Sequence, residues 1–146
     1  NIIEEEENAL FYLTSVGGLD CFLAYNFVEN QLYNAVYWII EEHTSDNLYI
    51  EDYHKLKNML IQKYGTPLID DEFWKSSLYK NTPAYKGLAI SIGDLIMSAK
   101  WETENTSINI VLWGDNFEIK HAINYQSKEF GPKAEEQKEQ SELDKL

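Results

Sequence analysis

Ile108-Asn109-Ile110-Val111-Leu112-Trp113-Gly114-Asp115-Asn116-Phe117-Glu118-Ile119-Lys120-His121-Ala122-Ile123-Asn124-Tyr125 is the stretch whose reading decides the fold. Two runs of alternating apolar residues flank a short polar turn, the signature of a half-buried β-hairpin. Asp115-Asn116 reads as the two-residue turn, because Asp and Asn tolerate positive φ. This choice sets Leu112 against Ile119, Ile110 against His121 and Ile108 against Ile123, so six residues, five of them aliphatic, share one face. A three-residue loop would scramble the faces.

The same pattern occurs earlier, over Leu23–Ile40, at an offset of 85 residues. There Asn30-Gln31 takes the place of the turn, and the match lies in pattern rather than in identical residues. Upstream of each hairpin the alternation continues. Leu10–Val16 precedes a Gly17-Gly18 turn and pairs with Asp20–Val28, while Leu88–Ile92 and Leu95–Glu102 precede a turn at Glu104-Asn105-Thr106. Between the two strand sets lies one helix, Ile50–Tyr64. Ile50, Tyr53, Leu56, Leu60, Ile61 and Tyr64 recur at helical spacing, Ser45, Asp46 or Asn47 can cap its start, and Gly65 with Pro67 ends it.

The predicted fold class is therefore α+β: two repeats of helix plus antiparallel β-meander, each helix packed on one face of the sheet. Residues 1–126 form one domain of two units, about 1–45 and 46–126, and residues 127–146 form an acidic tail, helical or disordered, with Pro132 suited to a first helical turn. The helix equivalent to Ile50–Tyr64 is missing from the first unit. Since the sequence begins at Asn1 without Met, the N-terminus is expected upstream. The two meanders are expected to form one continuous curved sheet, with two separate sheets as the alternative.

Composition narrows the function. The 146 residues carry twelve lysines, no arginine and 25 acidic side chains, a net charge of −13. Such a field repels phosphate backbones and anionic lipid, so nucleic acid is not an expected partner. A single cysteine, Cys21, excludes an internal disulfide, and no apolar run approaches a membrane span.

Tyr53–Pro67, which closes on Lys63-Tyr64-Gly65-Thr66-Pro67, together with Trp101-Glu102-Thr103 and Gly114-Asp115-Asn116, resembles segments of bacterial proteins with the β-lactamase-inhibitor-protein-like architecture. Small outer-membrane-assembly lipoproteins of the BamE (SmpA/OmlA) type share a single such unit. The resemblance covers residues 9 to 126. It implies a binding scaffold of a bacterium, secreted or surface-anchored, of unassigned function and with no catalytic residues to carry over. A lipobox cysteine and the first helix are absent, which leaves anchoring and compartment open.

Chemistry-bearing residues are few. His43, His54 and His121 fall on a strand end, a helix and a mid-strand position, a poor arrangement for a metal, and no metal or other cofactor is expected. His121 sits among Ile119, Ile123 and Ile110, where a hydrogen-bonded core histidine is expected. Cys21 alternates with Leu23, Tyr25 and Phe27 on the buried face and reads as an inert thiol. Asp70-Asp71-Glu72 and Glu4–Glu7 read as solvated turns, and Ser91-Ile92-Gly93-Asp94 as a strand bend. Nucleophile elbows and phosphate-binding glycine loops are absent, so no catalytic role is assigned.

Aromatic residues make up 14% of the chain, more than a small core requires. On the hairpin Asp20–Ile40 the face opposite the core is read as Phe22, Ala24, Val28, Tyr33, Ala35, Tyr37 and Ile39, where a one-sided sheet should be polar. Either another segment covers that face or it binds something. The expected function is a non-catalytic protein-binding or assembly module using Phe22, Tyr33, Tyr37, Ile39 and Trp113 against a partner favoured to be basic. The alternative is a small-ligand or lipid binder with an aromatic groove between the repeats.

Overall fold

The computed structural model describes residues 2–6 and 8–146, with side chains from residue 8 onward. In chain order the elements are β1 (Ile2–Glu6), β2 (Ala9–Val16), β3 (Leu19–Val28), β4 (Gln31–Ile39), α1 (Asp46–Tyr64), β5 (Ile69–Trp74), a 3-10 turn at Pro83–Tyr85, α2 (Lys86–Ser91), β6 (Leu95–Glu102), β7 (Thr106–Asp115), β8 (Glu118–Ser127) and α3 (Gly131–Asp144). The fold is α+β. All eight strands join one antiparallel sheet in the order β1-β2-β3-β4-β8-β7-β6-β5. The two meanders thus meet through their last strands, β4 and β8, and form one continuous sheet.

The repeat is built at an offset of 87 residues: Leu19 of β3 corresponds to Thr106 of β7, and Val28 to Asp115. Each hairpin turns one residue away from the expected place. Positive φ falls at Glu29 (48°) and Asn30 (63°) in the first, and at Asn116 (51°) and Phe117 (65°) in the second. Two consecutive positive φ values define a type I′ turn, whose twist matches that of the strands it joins. In the second hairpin the pairs become Leu112 with His121, Ile110 with Ile123 and Ile108 with Tyr125. That register differs from the expected one by two residues, so every side chain keeps its face.

The first hairpin fares differently. A bulge at Tyr33, opposite Asn26 and Phe27, adds a residue to β4, and beyond it Cys21 pairs with Ile39, Phe22 with Trp38 and Leu23 with Tyr37. A one-residue change exchanges the two faces of a strand. Tyr37 and Ile39 therefore stand with Cys21 and Leu23 on the side of α1, and the assignment of β4 faces from the sequence is reversed.

Helix α1 forms where expected and extends one turn further back, with Ser45 as N-cap and Gly65 at its end with φ 86°. Its buried side, Ile50, Tyr53, Leu56 and Leu60, packs with Leu95, Met97, Ala99, Trp101, Ile108, Ile110, Leu112 and Ile123. The Trp101 indole donates to the Gly65 carbonyl oxygen at 2.8 Å, tying the helix end to β6. No helix among the described residues is long and apolar enough to cross a membrane.

Three local readings change. Leu88–Ile92 lies within and just after α2, not in a strand; short apolar runs do not distinguish the two by periodicity. Tertiary packing decides it, since the Gly87 amide donates to Asn47 Oδ1 at 2.8 Å and the helix rests on Gly114, where a Cβ would stand 2.3 Å from the Ile90 carbonyl oxygen. Ser91-Ile92-Gly93-Asp94 is accordingly the end of that helix and the turn after it. Asp70-Asp71-Glu72 is the middle of edge strand β5, where alternation sends Asp70 and Glu72 toward the helices to meet Lys57 and Lys86. Glu4–Glu6 belong to β1, paired with Phe11, Leu10 and Ala9, while Glu7 lies outside the described residues. Charged edge strands resist pairing with other chains, which explains acidic runs inside strands.

Phe117 occupies a left-handed position that Gly or Asn fills at least cost, and its side chain is 72% exposed. Phe117→Gly gives an Asn-Gly turn and is expected to stabilise the protein by about 1 kcal/mol. Urea denaturation should show a higher midpoint with an unchanged slope; a lower midpoint would mean that the Phe117 side chain contributes packing that outweighs its backbone cost.

Candidate functional site

The sheet has one face under α1 and α2 and one face away from them. On the second face the registers line up Leu13 with Phe22, Phe22 with Trp38, Trp38 with Ala122 and Ala122 with Val111. Two residues along the strands, on the same face, Trp113 lies beside Trp38, with ring centroids 6.2 Å apart. Phe73 pairs with Ile96 toward the far edge. Leu13 (53%), Phe22 (37%), Trp38 (43%) and Phe73 (60%) are exposed, whereas the small residues between them, Ala24, Val36 and Ala122, are buried beneath the larger side chains. The result is an apolar, aromatic band running across the sheet at right angles to its strands.

The band has a polar border. Asn26 Nδ2 donates to Asn34 Oδ1 at 2.8 Å, and Asn34 Nδ2 donates to Asn124 Oδ1 at 2.6 Å and to Gln126 Oε1 at 3.0 Å. Beyond this amide ladder α3 lies against the sheet, burying Gly131 and Ala134, and its Lys133 pairs with Glu29 at 2.5 Å. The tail thus covers only the end of this face near the first hairpin turn.

Of the five residues singled out from the sequence, Phe22 and Trp113 belong to the band. Tyr37 and Ile39 do not, and pack against the core under α1. Tyr33 stands at the bulge, beside Val28 and Ala134. Trp38, at the centre of the band, is absent from the sequence reading because the bulge exchanges its face. The signal that could have found it is the alignment of Asn26, Asn34 and Asn124. Three amides in one row mark the face away from the core, and Trp38, two residues from Val36 and four from Asn34, shares that face by alternation.

The histidines are separate. His43 lies in the loop after β4, with Nε2 2.6 Å from Asp52 Oδ2. His121 is 3% exposed, and neither ring nitrogen has a hydrogen-bond partner among the described residues, contrary to the hydrogen-bonded role expected for it. Its ring is 5.8 Å from that of Tyr53, whose hydroxyl is also buried and unpaired. Burial alone lowers the His121 pKa to about 4, and burial, then Asp70 and Glu72, raise that of Tyr53. Burial, with Asp20 adding to it, also raises the Cys21 thiol.

No protein-family model, curated protein or solved structure matches this chain. Its class is that of a two-layer α+β protein with one face of the sheet covered by helices and the other carrying an aromatic band.

Because His121 is neutral in the fold and charges more easily when unfolded, its contribution to stability is complete above about pH 6.5 and declines as pH falls toward 4. From pH 7 to pH 4 the wild type should lose about 3 kcal/mol more than His121→Leu. Denaturation midpoints of both proteins across that range measure the difference; parallel curves would show that His121 finds a partner on protonation.

Proposed function

We propose that the protein is a non-catalytic protein-binding module whose contact surface is the aromatic band. The observation that supports this is the exposure of Trp38, Phe22 and Leu13 in register, with half-buried Trp113 against Trp38, on the sheet face that α1 and α2 leave uncovered. Solvated sheet faces alternate toward polar residues, and Leu13, Phe22 and Trp38 keep 37–53% of their surface exposed here even after covering the small residues beneath them. Tryptophan ranks first among residues that carry binding energy, losing little freedom on docking. A net charge of −13 speeds encounter with a basic partner and opposes pairing with a second copy.

The tandem-meander architecture is compatible with the resemblance to inhibitor-protein-like and BamE-like bacterial scaffolds, and with it an extracytoplasmic setting belongs to this proposal. A small ligand held between the repeats has less to rest on. The seam between the units is a continuous β4–β8 ladder, and over it Tyr37 and Tyr125 meet edge to face at 6.2 Å.

Immobilised wild type and the double variant Trp38→Ser/Trp113→Ser, compared on native extract, test the reading. A protein retained by the wild type should bind the variant at least about a hundredfold more weakly, with an association rate that falls as salt rises. Equal affinity for both would remove the band from the function.

A further inference from the structure

Strand β4 parts from β8 after the pair Ile39–His121, and the Ile40 amide turns instead to the Asp20 carbonyl oxygen at 2.9 Å. Strand β8 continues with β7 down to the pair Asp115–Glu118. Glu118, Ile119 and Lys120 therefore have a strand on one side only, and the fork opens a notch of about 370 Å³.

Glu41, Glu42, Asp46 and Glu118 line it together with His43, Tyr49 and Phe117, with Lys120 as the one lysine on its wall, and Glu41 accepts from the Asp20 amide at 2.9 Å. Among the described residues neither Glu42 nor Glu118 has an ion-pair partner. The aromatic walls are held in place. The Tyr49 hydroxyl accepts from the His43 amide at 3.0 Å and the two rings meet edge to face at 5.0 Å, while the Phe117 amide donates to the Ser91 carbonyl oxygen at 2.9 Å. Phe117 holds its exposed ring here at a backbone position that glycine would fill more easily, so the turn itself does not explain its identity.

We propose that the notch seats an arginine side chain of the basic protein partner, an inference that rests on the protein-binding reading of the band. A guanidinium is planar, stacks on aromatic faces and forks onto carboxylates, which is the chemistry the lining offers. The notch adjoins the band, because Lys120 pairs with Trp113 and Ile39 follows Trp38. A second copy of this chain is not the occupant: it has no arginine and carries the same negative field.

The test is a backbone-amide NMR titration of the intact protein with acetyl-arginine-methylamide, using the neutral isostere acetyl-citrulline-methylamide as control. Arginine amide should shift signals of residues 40–46 and 117–120, citrulline amide should not, and Glu42→Gln/Glu118→Gln should weaken the effect about fivefold. Phe117→Gly should weaken it as well while keeping the fold. Absence of shifts, equal shifts with citrulline, or shifts spread over the acidic surface of α3 would each overturn the proposal. The titration does not involve the band: if the band reading fails, Trp38→Ser still shows the arginine shifts, and if the notch fails, capture through the band persists.

Discussion

Everything in this fold hangs on the ladder between β4 and β8. Six residue pairs, from Asn34–Gln126 to Ile39–His121, join two meanders that are distant in sequence. Without that ladder each meander would be a small sheet with an open edge and one apolar face too narrow for a core. With it, the inward side chains of β6, β7 and β8 form a floor broad enough for α1, and the helix buries Tyr53 and Leu56 almost completely. The same ladder brings Trp38 from one unit beside Trp113 from the other, so the contact surface depends on the joint that creates the core.

How much of this could be read from sequence depends on where the chain obeys simple periodicity. In β7–β8 the alternation survives a turn misplaced by one residue, because the resulting register differs by two and leaves Ile108, Ile110, Leu112 and His121 on their predicted face. In β3–β4 a bulge at Tyr33 adds a single residue to β4 and exchanges the faces of Tyr37 and Trp38. No residue type in Leu32-Tyr33-Asn34 announces a bulge. Helix α1 is legible because it is long, amphipathic and ended by Gly65-Thr66-Pro67, whereas α2 is six residues long and is held by contacts to Asn47 and Gly114 that no local pattern contains. Charged edge strands are hard to see for a related reason. Asp70-Asp71-Glu72 has turn-like composition, and only the lysines facing it across space explain why it is extended.

The candidate site shows the same division. Its chemistry was legible as an excess of aromatic side chains on a strongly acidic chain, and Phe22 and Trp113 were found by alternation alone. Its geometry was not, because membership of the band is a property of four registers at once. The notch was invisible for a further reason: it exists where β4 leaves the sheet, and strand endings are the least determined feature of a periodic pattern.

The order in which the strands leave the ribosome gives the joint one more consequence. Helices α1 and α2 and strands β5 to β8 lie in residues 46–127, so the second meander can condense on its own helices through local contacts. The first meander is synthesised earlier and has no helix of its own in residues 8–45. Until β8 is complete, β4 presents an unpaired edge next to Tyr37 and Trp38, and closing it requires contacts between residues about 90 apart, as in the 2.6 Å bond from Asn34 to Asn124. The polar amide row thus lies on an edge that must wait, and gives a waiting apolar strand a polar, register-specific group with which to find its proper neighbour.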